Sequence, residues 1–467
     1  MTFRSAVQVF KEERLPHFTW AWYTLPMSTG GLSLLLSVTP NRFPGLTTIG
    51  VVLYICNIVI FLSISSIMIW RYSSCNVTFK DTLMHPLESL FIPTFFLATA
   101  TIINCMCAYA VPKTGEWMVV LLRVIFWIYT ATTFCQSVIQ YFILFNNRQH
   151  PIQNMTTAWV LPAFPCMLVG TVASAVVKTQ PRQHAFNMAL AGTTCQGLGF
   201  LISCFMYSIL IRRLMQFGLP EIKARPGMFI TVGPPSFTCL ALLGLAQDAS
   251  YFLPEKFLTL KTTDVSEILL IMGTTGSVLL WSVSAWFWAL TMVSILAGLI
   301  QEPQEMRFIL GWWAFVFPNV GFTIATIELS KVFDSSALGW LASGMTILIF
   351  AAWLFVLTFN IEAVVKGRIM GKGLDEDREI RFDSHLEARV EDLECKVELP
   401  RHLSGFSKDY RMGEKFDEEE EERIREFHRG RGMSCASGMT TVAPTPMISR
   451  KPSDDENMPS STLGARR

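Results

Sequence analysis

The stretch GWWAFVFPNVGFTIATIEL, residues 311–329, is apolar enough to enter a membrane, yet it carries Pro318, Asn319 and Gly321 near its middle. A proline inside a helix removes one backbone hydrogen bond and clashes with the carbonyl four residues back. In hydrocarbon the freed carbonyl is costly, and it is tolerated only where protein or a watery cavity satisfies it. The stretch therefore reads as a membrane helix that faces an interior rather than lipid.

It has companions. The segments TLPMSTGGLSLLL, FIPTFFLATATII, VLPAFPCMLVGTVAS and TVGPPSFTCLALLG each join a proline to a run of small and hydroxylic residues. The prolines are Pro26, Pro93, Pro162, Pro234 and Pro318, separated by 67, 69, 72 and 84 residues, each gap the length of one hairpin of two spans. A hydrocarbon core of about 30 Å needs roughly 20 apolar residues in a helix. By that rule ten spans are predicted, near 18–38, 49–70, 88–111, 118–145, 155–177, 186–211, 227–247, 266–299, 308–330 and 337–361. Only the odd-numbered spans hold an interior proline. Internal periodicity of this kind is a fold-level signal. It predicts an all-α integral membrane protein of ten transmembrane helices, arranged as five parallel helical hairpins with pseudo-five-fold order around a central pore.

Composition agrees. Of 467 residues 51% are hydrophobic and 16% charged, well below the quarter usual for soluble domains. The net charge of +1 offers no basic field for a nucleic-acid partner. Eleven cysteines lie mostly inside apolar runs without paired metal-type spacing, so neither a disulfide framework nor a metal site is expected. No phosphate loop, nucleophile elbow or ligand cluster suggests an enzyme or a cofactor. Three regions follow: an N-terminal segment, 1–17; a transport domain, 18–361; and a charged, apolar-poor tail, 362–467, expected to be solvated and disordered. An even number of spans puts both termini on one side, and Arg212, Arg213, Lys223, Arg225, Lys366 and Arg368 make that side cytoplasmic.

An anion needs a favourable field in the pore, but no odd span carries Arg or Lys at its centre. The expected anion path is then lined by hydroxyls and backbone amides, with Ser28, Thr29, Thr94, Ser236 and Thr323 as candidates. Each is also the kind of residue that packs helices together. Ionisable groups near the spans are candidates for charge or proton coupling. Arg123 either acts there or snorkels outward on its long stem. Glu328 lies three residues before Lys331, spaced for a local ion pair. His85 and Glu88 lie at the inner end of the third span; His85 either couples protons or caps the helix. Asp248, after the seventh span, reads as a solvated loop charge.

The segments HFTWAWYTLPMSTGGLSLLL and WWAFVFPNVGFTIATIE resemble the tellurite-resistance/dicarboxylate transporter family over about residues 17–365. That family includes fungal malic acid transport proteins, fungal sulfite efflux pumps and plant slow anion channels. The Trp-Ala-Trp-Tyr start with Ser-Thr-Gly-Gly is most similar to the malic acid branch, whereas sulfite pumps more often show Met-Gly-Thr-Gly there. The resemblance implies five hairpins around a pore plugged by a phenylalanine on the ninth span, which here matches Phe317, with Phe315 the next candidate. It also implies a homotrimer with one pore per subunit, set in the lipid bilayer of the plasma membrane. The expected substrates are small organic anions, foremost malate and other four-carbon dicarboxylates, moved together with protons. Sulfite efflux and a gated anion channel are the alternatives on the same scaffold.

Overall fold

The computed structural model describes residues 8, 10–75, 77–146, 152–254, 257 and 264–371. The expected tail from 372 onward lies outside the described residues. Ten α-helices of 13 residues or more account for most of the described residues: α1 Thr24–Val38, α2 Leu46–Ser74, α3 Pro93–Cys105, α4 Glu116–Asn146, α5 Phe164–Val176, α6 Arg182–Phe217, α7 Gly233–Gln247, α8 Val265–Gln301, α9 Phe317–Val332 and α10 Ser336–Val365. No strand occurs among the described residues.

Odd and even helices differ in kind. The even ones are unbroken and long, from the 29 residues of α2 to the 37 of α8. The odd ones are short, 13 to 16 residues, and each is entered through a 3-10 stretch: Trp20–Tyr23, Glu88–Phe91, Thr157–Ala163, Ile222–Val232 and Leu310–Phe315. This changes the expected role of the prolines. Pro93, Pro234 and Pro318 stand in the first turn of their α-helices, Pro26 two residues inside α1, and Pro162 in the 3-10 turn just ahead of α5. A first-turn proline has no intrahelical N–H to lose, and its fixed φ favours helix initiation. The weak point of each odd span is therefore a switch from 3-10 to α geometry, not a broken bond in the middle of an α-helix.

Nine helical stretches among the described residues are long and apolar enough to cross a membrane. The remaining segment, 20–38, has only 15 residues in its α part and carries Ser28, Thr29, Gly30, Gly31 and Ser33 where lipid would demand larger apolar groups. It can do so because it is enclosed by protein on nearly every side.

Packing explains the alternation. α1 packs against α3, α3 against α5, α5 against α7, α7 against α9, and α9 back against α1, so the odd helices close into a ring. Each even helix lies outside, touching its own odd partner and the next one round: α2 spans α1 and α3, α4 spans α3 and α5, α6 spans α5 and α7, α8 spans α7 and α9, and α10 spans α9 and α1. In the stretches Thr157–Thr179 and Leu310–Val332 89% of the apolar window is buried, against 17% for Leu46–Ser74 and 22% for Ser336–Val365. No even helix contains a proline; the prolines of the spans lie in the ring, where protein covers the backbone. Large apolar side chains such as Leu62, Phe142 and Ile347 point outward from the even helices, as a lipid-facing surface requires.

Close approach between the layers uses small residues. Gly192 and Gly199 on α6 lie against Ala173, and against Met167 and the Ala163 carbonyl, of the neighbouring odd span, so a Cβ at either glycine would overlap a neighbour. Gly273 on α8 meets Ala246 of α7 in the same way.

Candidate functional site

The 3-10 entries leave backbone carbonyls without α-helical partners, and the hydroxyls of the ring answer them. Thr94 donates to the carbonyls of Phe91 at 2.6 Å and Trp20 at 3.0 Å, joining its own entry turn to that of α1. Ser28 donates to the Trp313 carbonyl at 3.3 Å, which ties α1 to the entry of α9. Ser236 donates to Val232 and Gly233, Thr323 to Asn319, and Thr29 to Leu25. Thr29 also accepts from the Trp353 indole at 3.1 Å and so faces α10. All five candidate anion-path hydroxyls are buried and have their protons engaged by backbone carbonyls. Ser28, Thr94 and Ser236 thereby tie the helix switches, whereas Thr29 and Thr323 bond back within their own α-helices.

The ionisable candidates fall into place around the ring. Glu88 is bound by both terminal nitrogens of Arg71 from α2, at 2.5 and 3.2 Å, with both side chains buried. The Arg71 Nε donates to the Pro16 carbonyl at 3.0 Å, so the pair also anchors the segment ahead of α1. His85 accepts at Nδ1 from the amides of Leu87 and Glu88, which makes it a cap for the turn that begins α3. Arg123 donates to the Gln180 side chain at 3.0 Å, and Glu328 pairs with Lys331 at 2.6 Å. The Arg71–Glu88 pair was not legible in the sequence, because neither the spacing nor the residue types distinguish it from two interfacial charges.

At the centre of the ring three phenylalanines meet. Phe317, the first residue of α9 and 2% exposed, stacks on Phe237 of α7 with ring centroids 5.0 Å apart and planes at 25°. Phe164, the first residue of α5, lies 6.1 Å from Phe317 and 5.7 Å from Phe237. Separations of this size bring aromatic rings into contact. Each ring is received by a glycine on the next odd helix. Phe164 sits against Gly233 of α7, Phe237 against Gly321 of α9, and Phe317 against Gly31 of α1. A Cβ at Gly321 would come within 2.7 Å of Phe237, and one at Gly31 within 3.2 Å of Phe317. The same rule, phenylalanine into the following glycine, thus repeats over three successive steps of the ring. Phe315 lies apart from these three: it packs on Phe229 and Trp312, in the entry turns of α7 and α9.

A ring of proline-started helices closed by aromatic side chains and sheathed by apolar helices defines a multi-pass membrane transport protein. The chain belongs to the voltage-dependent anion channel family, whose profile matches residues 17–361 and so covers the whole ring. It is 38% identical over 365 residues to a malic acid transport protein of Schizosaccharomyces pombe, covering 78% of this chain and 82% of that protein. A putative malic acid transport protein of the same organism is 35% identical, covering 81% and 89%. The sulfite efflux pump SSU1 of Arthroderma otae is 28% identical, covering 74% and 91%. The protein is accordingly an anion transporter embedded in the lipid bilayer, with a small anion as its substrate.

Proposed function

We propose that the protein carries malate and similar four-carbon dicarboxylates across the plasma membrane, with protons moving alongside, through a central path in the five-helix ring. In this reading the chain crosses the membrane ten times, both termini are cytoplasmic, and Phe317 is the gate. The observation that carries the reading is the combination of a closed helix ring, with Phe317 stacked on Phe237 inside it, and 38% identity over 365 residues to a malic acid transport protein. A hydrophobic constriction of this kind stops ions by excluding water, and conducts when the rings turn aside. With no Arg or Lys among the five odd α-helices until Lys331, near the end of α9, a dianion would meet its favourable charges at the mouths of the path rather than midway. Three copies, each with its own path, are the expected assembly.

Sulfite efflux is the second reading, favoured by the 28% identity to sulfite pumps over most of their length. Uptake of labelled malate and export of sulfite, measured in the same cells across external pH, separate the two. Malate entry that rises in acid supports the dicarboxylate carrier. Absent malate entry with sulfite export above the untransformed background overturns it.

A further inference from the structure

The end of the ring opposite the 3-10 entries carries a compact set of charges. Lys178 stands in the turn Val177–Thr179 that finishes α5, Asp248 directly follows α7, and Glu328 and Lys331 lie near the end of α9. These are three successive members of the ring, so their ends converge on one mouth. Asp248, expected to be a solvated loop charge, is buried, and its carboxylate meets Lys178 Nζ at 2.5 Å. The partnership is lopsided: the Lys178 side chain is 65% exposed and the Asp248 side chain 7%.

The buried partner is held in place independently of the lysine. Arg182, at the start of α6, donates to the carbonyls of Tyr251 at 2.7 Å and Ser250 at 3.2 Å, and the Tyr251 hydroxyl donates to the Gln180 carbonyl at 2.7 Å. Removing the Lys178 contact therefore leaves the Asp248 turn fixed. The charges that bear on the carboxylate are Lys178 and Glu328; Glu328 is itself paired to Lys331. Arg182 is spent on the two carbonyls, while His184 on α6 and Glu267 on α8 do not bear on it. Burial pushes the Asp248 carboxyl above its ordinary value, Lys178 pulls it back, and Glu328 adds to the rise. The sign follows: the carboxylate takes up its proton earlier on acidification than a free aspartate would.

We infer that Lys178 is the anion-receiving residue at this mouth and that Asp248 holds it in reserve. With Asp248 ionised, the ammonium is neutralised at close range and gives an approaching anion little attraction. When a proton neutralises Asp248, the ion pair lapses, and the exposed lysine turns to a carboxylate of the incoming substrate. Positive potential in a narrow mouth raises the local anion concentration. The inference rests on the reading of the ring as the anion path, and it adds the residue that recruits the anion and the acid that regulates recruitment.

The test is flux through the full-length protein reconstituted in lipid vesicles, with nitrate and malate measured in parallel. Nitrate keeps one charge throughout the range from about pH 4 to pH 7 in which side-chain carboxylates titrate, so its profile reports the protein alone. Acid should stimulate nitrate flux about tenfold in the parent protein, the lower end of what electrostatic focusing gives. Asp248→Asn should show that acid-stimulated flux already at neutral pH, with the pH dependence flattened. Lys178→Met should lose the stimulation and raise the KM for the anion at every pH, and Lys178→Arg should restore both. Because the Lys178 side chain is largely exposed, that variant serves even if Asp248→Asn fails to fold. A parent-like pH profile in Asp248→Asn, or acid stimulation surviving in Lys178→Met, overturns the inference. Nitrate behaving as described while malate fails to move sustains it and overturns the malate substrate instead.

Discussion

Phe317 and Phe237 stack at 5.0 Å across the junction of α9 and α7, and each also rests on a glycine of the odd helix that follows its own in the ring. The three rings are thus interlocked, each in contact with the other two and seated against a glycine. Phe317→Ala removes the member that touches both Phe164 and Phe237 and leaves a gap at the centre. Vesicle flux per reconstituted protein should rise, by about tenfold, once the hydrophobic constriction is removed from the path. Flux at or below the parent level in a well-folded variant would refute the gate.

The glycines make a graded test. An alanine at Gly321 places its Cβ 2.7 Å from the Phe237 ring, backed by helix, whereas one at Gly31 meets Phe317 at 3.2 Å and needs only a small shift. Overpacking of this sort costs about 1–3 kcal/mol. Gly321→Ala should therefore lower the melting temperature more than Gly31→Ala, and should displace Phe237 enough to raise basal flux. Equal effects of the two substitutions would show that the interlock does not hold the plug.

The division into inner and outer helices was legible in the sequence because lipid is an unforgiving solvent. Pro26, Pro93, Pro162, Pro234 and Pro318 with their hydroxylic neighbours can only lie inside, and the uninterrupted apolar helices can only lie outside. The 3-10 entries were not legible. The apolar run continues upstream of each proline, so Pro318 looks like an interior residue although the α-helix starts beside it at Phe317. The phenylalanine–glycine interlock was hidden for another reason: Gly233 and Gly321 read equally well as ordinary sites of close helix approach. Asp248 and the Arg71–Glu88 pair depend on contacts between distant segments, to which local composition is blind.

The hydroxyls discriminate between a structural and a conducting role. Thr94→Val deletes the bonds to Phe91 and Trp20 and strands buried carbonyls, at a cost of about 1–3 kcal/mol. Thr94→Ser keeps the donor. The expected result is a lowered melting temperature in the valine variant only, read by tryptophan fluorescence in detergent, with the ratio of malate to nitrate flux unchanged. A changed ratio at unchanged stability would instead place the Thr94 hydroxyl on the anion path.

The Arg71–Glu88 pair gives the sharpest stability test, because both partners are buried and the same guanidinium holds the Pro16 carbonyl. Removing one charge leaves the other buried without compensation, so Glu88→Gln and Arg71→Met should each destabilise by about 3–5 kcal/mol. The combined Arg71→Met, Glu88→Leu variant strands no charge and should recover much of that loss, except for the share owed to Pro16. With Glu88→Leu alone as the second single variant, thermal unfolding of the parent, Arg71→Met, Glu88→Leu and the combined protein completes a double-mutant cycle in which the coupling is large if the pair acts as a unit. If the pair were a proton-coupling site, Glu88→Gln would flatten the pH profile of transport. The bidentate geometry predicts that it lowers the amount of folded protein and leaves the shape of that profile intact.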